Sequence, residues 1–168
     1  LSFLAGKLGK EIGNFTLVDD ATIPNAPFST SFDSEGSPTK RTVLVDNGVL
    51  KTYLHNHSSA QTYNLDNTAN AGIISPHSWN LVFNAEQGDI FDVKKALWIT
   101  NTWYTRFQNY STGDFSTIPR DGIFLIENGE VKQSLKNIRI SDNILNILKN
   151  VKLAGKDKER ILSWETEK

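Results

Sequence analysis

Apolar and polar positions alternate around two Asn-Gly pairs, and that alternation organises the chain. In Thr42 to Leu54, TVLVDNGVLKTYL, Asn47-Gly48 can fill the two positive-φ positions of a type I′ turn, with β-branched and aliphatic residues on both sides. A two-residue loop sets Asp46 opposite Val49, Val45 opposite Leu50, Leu44 opposite Lys51 and Val43 opposite Thr52. Val43, Val45 and Leu50 then share a face that needs a core. Gly122 to Leu135, GIFLIENGEVKQSL, repeats the device around Asn128-Gly129, with Ile126 opposite Val131 and Leu125 opposite Lys132. LVDNGVLK and LIENGEVK agree position for position, which fits either an old duplication or two independent uses of a common turn.

The remaining pattern predicts shorter elements. Leu1, Leu4, Leu8 and Ile12 recur at helical intervals before Gly13-Asn14, so residues 1–12 read as the end of a helix. Phe15 to Asp19 and Asn80 to Asn84 read as strands, Ala21 to Ser31 and Leu65 to Pro76 as loops, and His57 to Asn64 as one helical turn. Asp89 is placed to cap a helix over Ile90 to Lys95, and Leu97 to Tyr104 alternates as a strand. Thr105 to Asp121 is the longest stretch without a periodic signal. Ser141 or Asp142 would cap a helix carrying Ile144, Leu145, Leu148 and Val151 on one stripe. The fold class expected is α+β: an antiparallel β-sheet meander with two Asn-Gly hairpins and a few short packed helices.

Composition narrows what such a fold can do. A chain of 168 residues is long enough for one domain with a real core, taken here as 1–157, followed by a charged tail at 158–168. The absence of cysteine excludes disulfides, thiolate metal sites and a cysteine nucleophile, and it favours an intracellular, cytoplasmic setting. A net charge of −1 argues against direct nucleic-acid binding. Apolar runs such as Ala96 to Ile99 are far shorter than the ~20 residues of a membrane-spanning helix. With no methionine, Leu1 is not a translation start, and the chain is expected to begin inside a longer polypeptide.

Few residues carry chemistry of their own. His55, His57 and His77 could share a metal, but none is followed by Glu, and no carboxylate is locally spaced to complete a zinc set. Asp19-Asp20 and Asp33 with Glu35 could pair as acid and base, yet both pairs sit beside turn residues where solvated carboxylates are ordinary. The chain has no G-x-S-x-G, Walker or dinucleotide glycine pattern. Asn-x-Ser/Thr sequons at Asn14, Asn56 and Asn109 matter only in a secreted protein, and the basic residues from Lys149 to Arg160 are broken by Asp157 and Glu159. Thr112, Gly113, Asp114, Phe115 and Ser116 are harder to dismiss: a glycine bend, an acid and an aromatic suit a peptide-binding loop. They suit equally a turn entering a strand with Phe115 as its anchor.

Several separated phrases together resemble the C-terminal half of the TldD/PmbA family. They are SFLAGKLGKEI at 2–12, TLVDD at 16–20, FDSEGSPTKRTVLVDNGVLKTYLHN at 32–56, the Thr68 to Gly72 loop, TGDFS at 112–116, GIFLIENGEV at 122–131 and ISDNILNILKNVKLAGKD at 140–157. The resemblance implies a zinc-dependent peptidase system, historically labelled a modulator of DNA gyrase, in which two related subunits pair. In that family only the TldD-type subunit carries the His-Glu-x-x-x-His helix and a C-terminal cysteine ligand. This chain has neither, so no catalytic or metal residue transfers, and any zinc would belong to a partner subunit. FDSEG and TGDFS look more like the PmbA (TldE-type) subunit, while Lys158 to Lys168 depart from the glycine-rich family terminus.

The resemblance therefore implies a non-catalytic piece of a two-subunit peptidase acting on unfolded peptides, partnered by a TldD-like subunit or by a second copy. Thr68, Asn70 and Gly72 join Thr112 to Ser116 as the residues expected to line a peptide-holding cavity. The alternatives are a non-enzymatic regulatory protein of the gyrase-modulator type, or a TldD-type subunit whose metal helix lies outside this chain.

Overall fold

The structure, a computed structural model, describes residues 2–162. Two compact units emerge, one built on Phe15–Asn84 and the other on Ala85–Asp157, each with short pieces of chain from outside those spans. Among the described residues the fold is mostly antiparallel β with two short helices, within the α+β class.

The first unit holds β1 (Thr16–Asp20), β2 (Arg41–Asp46), β3 (Val49–Leu50), α1 (His57–Tyr63) and β4 (Leu81–Asn84). Its sheet runs β3-β2-β1-β4. Asn47 and Gly48 stand at φ 45° and 85°, as a type I′ turn requires, and Val45 pairs with Leu50 and Asp46 with Val49. Val18, Val45 and Leu50 are buried, and so are Thr42 and Leu44. The sheet is thus covered on both faces, where the alternation asked for one. Each fully buried Leu or Val contributes about 1.5–3 kcal/mol, which makes this hairpin a principal anchor of the unit. Asn56 caps α1 by accepting from Ser59 N–H at 2.9 Å while Ser59 Oγ accepts from Asn56 N–H at 3.1 Å, a reciprocal capping box.

The second unit holds β5 (Lys95–Ile99), β6 (Thr102–Asn109), β7 (Asp114–Pro119), β8 (Ile123–Glu127), β9 (Glu130–Ser134), β10 (Ile140–Asn143) and α2 (Ile144–Lys149). They form two three-stranded sheets, β5-β8-β9 and β10-β7-β6. Asn128 and Gly129 stand at φ 52° and 79°. Ile126 pairs with Val131, but a bulge sets Leu125 opposite Gln133 rather than Lys132.

Several local expectations give way to longer-range pairing. The helix expected over residues 1–12 is a series of turns, because Gly6 and Gly9 adopt φ 71° and 76° and leave the helical path. That segment instead exchanges hydrogen bonds with β3: Gly9 N–H donates to Leu50 O, and Leu50 N–H to Lys10 O. Ile90 to Lys95 is not helical either. Asp89 Oδ1 accepts from Phe91 N–H in a local turn, and the carbonyls of Val93 and Lys94 accept from Gly129 and Asn128 at the second hairpin. Leu97 to Tyr104 divides near Thr100 into β5 and β6, which lie in different sheets, while Thr105 to Asp121 proves to be mostly β6 and β7 rather than structureless. The cap of α2 is Asn143, whose side chain accepts from Leu145 N–H. Ser141 and Asp142 lie in β10, and Val151 lies beyond the helix. The tail expected at 158–168 falls partly outside the described residues; Lys158 Nζ donates to Asn84 Oδ1 and Arg160 to Asn25 O.

Candidate functional site

The Thr68 to Gly72 loop lies in the first unit and is sunk into it. Thr68 Oγ1 accepts from His55 N–H at 2.7 Å and donates to His55 O at 3.0 Å. Ala69 holds a left-handed φ of 57°, fixed by its N–H to Asn67 Oδ1 and by Trp79 Nε1–H donating to Ala69 O. Asn70, 0 % exposed, donates from Nδ2 to Asp19 Oδ2 and to His77 O. Asp19, 1 % exposed, also accepts from Trp79 N–H at 2.7 Å. Burial pushes the Asp19 carboxyl above the usual carboxylate range, against the downward pull of the Asn70 and Trp79 donors. Gly72 is required by close approach, since a Cβ there would lie 2.7 Å from Ser75 O. Thr68 is thus bound to His55, and Asn70 to Asp19 of β1 and to His77.

The other carboxylates weighed as acid and base serve backbone. Asp33 accepts from Glu35, Ser37 and Ala71 N–H groups, Asp20 accepts from Thr22, and Glu35 accepts from His57 N–H. The histidines do not converge. His55 is buried, with Nδ1 on Ser59 Oγ at 3.1 Å; His57 opens α1; His77 packs edge-on against Trp79 at 4.3 Å. Burial lowers the His55 pKa, as expected for a base whose Nε2 meets no hydrogen-bond partner. Among the described residues, no three His, Cys, Asp or Glu side chains come together as a metal would need. This donor set does not fit zinc.

Thr112 to Ser116 lie in the second unit, at the turn from β6 into β7. Gly113 stands at φ 86°, and a Cβ there would come 3.1 Å from the Phe3 ring. Asp114 accepts from Thr112 Oγ1 at 2.5 Å and from Asn143 Nδ2 at 2.8 Å. Those two donors hold its carboxyl below the usual range. Asn143 Nδ2 also reaches Thr112 O, and Ile144 N–H donates to Gly113 O, so the start of α2 closes the bend. Phe115 is buried in β7 opposite Phe107, which stacks on Phe3. Ser116 is buried and accepts from Arg139 Nη1 at 3.1 Å.

Asp19 was weighed as an acid rather than as the anchor of the Asn70 loop, and Asn143, Arg139 and Arg106, the ladder partner of Ser116, were not foreseen. Asp19 carried a readable signal, a charge directly after the apolar pair Leu17-Val18, but the arginines lie far apart in sequence and each comes to Ser116 only through sheet register. An open hollow of about 490 Å³ lies at the second hairpin, lined by Asp89, Phe91, Asp92, Val93, Lys94, Asn128 and Gly129. None of the loop residues discussed above lines it.

Comparison with known proteins gives a consistent picture. The family described as the PmbA/TldA metallopeptidase C-terminal domain matches residues 1–166. A metalloprotease of Methanocaldococcus jannaschii is 33 % identical over 94 % of this chain and 37 % of its own length. Metalloprotease PmbA of Escherichia coli O157:H7 is 32 % identical over 94 % of this chain and 35 % of its own length. Among solved structures, a Thermotoga maritima protein described as a candidate modulator of a DNA gyrase superposes with a TM-score of 0.85 at 32 % identity, covering 94 % of this chain and 38 % of that one. TldE from Thermococcus kodakarensis gives 0.78 at 28 % identity, covering 92 % and 37 %. The chain spans about a third of the length of the curated relatives it matches.

Proposed function

The chain belongs to the PmbA/TldA metallopeptidase C-terminal domain family, and from that membership we propose that it serves a PmbA/TldE-like subunit of a two-subunit zinc peptidase. The assembly acts on unfolded peptides in the cytoplasm, and this chain does not hydrolyse them by itself. Zinc and the reacting water belong to a TldD-like partner subunit. This chain contributes backbone edges and shaped loops, 1–157 acting as the folded part and 158–168 as its charged extension. Thr112 to Ser116 shape the surface on which peptide rests, and Thr68 to Gly72 keep the first unit's loop in form.

The observation that carries the reading is that the sheets of this metallopeptidase-family chain end in strands with an unpaired side, β6 and β9 among them. Such edges add an extended peptide through main-chain hydrogen bonds, with little demand on its sequence. Peptide cleavage and metal content, measured on the full polypeptide alone and mixed with its TldD-like partner, test it. Cleavage appearing only in the mixture, with zinc carried by the partner, is expected. Cleavage by the full polypeptide alone would overturn it. Within the complex, replacing Asp114 and Phe115 together is expected to lower turnover at least severalfold, and unchanged turnover would remove that loop from the site.

A second reading rests on the likeness to the Thermotoga maritima structure. On that reading the protein binds and regulates another protein without any peptide turnover, and the same mixture would show binding but no cleavage.

A further inference from the structure

The β10-β7-β6 sheet brings two arginines to one buried serine and sets a third beside Trp103, further along β6. Arg139 donates to Ser116 Oγ, and Arg106 stands directly opposite Ser116 across the β6–β7 ladder. Two residues along β7, Ile118 pairs with Trp103. Ladder partners share a face, yet Trp103 and Arg106 are three apart in β6, a spacing that would normally send them to opposite sides. The bulge between them absorbs the extra residue, with Tyr104 at φ 53°, and brings both to the same face. Arg120 then lies over the Trp103 ring at 4.9 Å, and Arg106 over Tyr104 at 5.6 Å.

No carboxylate of the described residues lies within salt-bridge distance of these three guanidiniums; the ion pairs recorded are lysine pairs elsewhere. The nearest acids by position are already engaged: Asp114 accepts from Thr112 and Asn143, Asp121 from Asn101 Nδ2, and Asp142 from Asn143 N–H and Asn146 Nδ2. Trp103 is 38 % and Ile118 47 % exposed, and β6 is the outer strand of its sheet. The face therefore offers an open strand edge, an apolar strip and positive charge without internal counter-charge.

We propose that this face takes an extended peptide segment bearing an acidic side chain, its backbone paired to the open side of β6 and its carboxylate held by Arg106, with Arg139, beyond β7, adding to the positive field. The proposal rests on the peptide-holding reading above and adds a charge preference to it. Arginine suits a carboxylate because its planar donors match both oxygens. A nucleic acid is disfavoured, because the chain's net charge is −1 and the face offers few cations for a run of phosphates.

The test is fluorescence-anisotropy binding of three labelled hexapeptides to the full polypeptide, alike except for Glu, Gln or Lys at one central position. The Glu peptide is expected to bind about three- to tenfold tighter than the Gln peptide, with the Lys peptide weakest. R106Q should remove most of that preference, and R139Q a smaller part of it. R106E should favour the Lys peptide, a reversal that misfolding cannot mimic. Equal binding of all three peptides would overturn the charge preference while leaving the peptide-holding reading intact. Binding of none would overturn both. A single-stranded oligonucleotide bound tighter than the Glu peptide and released by R106E would overturn the proposal in favour of nucleic acid. Sedimentation showing a dimer that R106E dissociates would overturn it in favour of a second copy of the chain.

Discussion

Thr68 to Gly72 and Thr112 to Ser116 are both short polar stretches containing a glycine, and the fold uses them in opposite ways. The first is buried, with Asn70 Nδ2 donating to Asp19 and His77 O while its Oδ1 meets no partner, so the loop's donors are spent in holding its shape. The second lies at a surface bend whose acid is satisfied locally by Thr112 and Asn143, next to a sheet face carrying uncompensated arginines. Burial of the acid decides the difference: Asp19 is enclosed, whereas Asp114 keeps part of its surface in water although Gly113, Phe115 and Ser116 beside it are buried. A polar group removed from water must find its partners inside the protein, whereas one at the surface can reserve part of its bonding capacity for a ligand.

The sharpest way to break this contrast is to delete one acid from each region. Asp19→Ala leaves Asn70 Nδ2 without its carboxylate and Trp79 N–H without an acceptor, and should cost about 3 kcal/mol in urea unfolding. Asp114→Ala should move the urea midpoint far less. If the two variants unfold alike, burial is not what separates the loops. Gly113→Val tests the bend itself: a β-branched residue at φ 86°, with its Cβ against the Phe3 ring, should cost about 2 kcal/mol by the same measurement. Asn143→Ala removes the α2 cap and the bonds to Thr112 O and Asp114 together, for an expected loss of about 1 kcal/mol.

The smallest effect is in pH dependence, and its signs differ between groups. His55 has a folded pKa below its ordinary 6.5, so its contribution is present above that value and lost as pH falls through the folded pKa. Asp19 runs the other way, since its raised pKa makes its contribution complete below the ordinary carboxylate value and lost as pH rises through the folded one. Thermal melts of His55→Gln should therefore lose part of the acid-side decline below pH 6.5 seen in the parent protein. A decline of unchanged steepness would assign it to other groups.

The hairpins were legible because an Asn-Gly pair and its flanking alternation fix a turn and register within a dozen residues. The strands around them were not, for reasons particular residues make plain. Leu1, Leu4, Leu8 and Ile12 are spaced as a helix would be, but Gly6 and Gly9 leave that path and the segment pairs with β3 instead. Trp98 and Trp103 read as one strand, yet hydrogen bonding between Thr100 and Gly122 divides them between sheets. Of the candidate site, the Thr112 to Ser116 bend was visible through its glycine and acid. Arg106 and Arg139 were invisible because thirty-three positions separate them and only the β10-β7-β6 register, with its bulge, brings them to one serine.

Backbone hydrogen exchange of the full polypeptide, with and without saturating Glu hexapeptide, tests the central claim most directly. Amides of Thr102 to Asn109 on the open side of β6 should slow on peptide binding, while those of Thr68 to Gly72, already enclosed, stay as they are. Bound peptide with unchanged exchange along β6, or new protection concentrated at Thr68 to Gly72, would contradict the account.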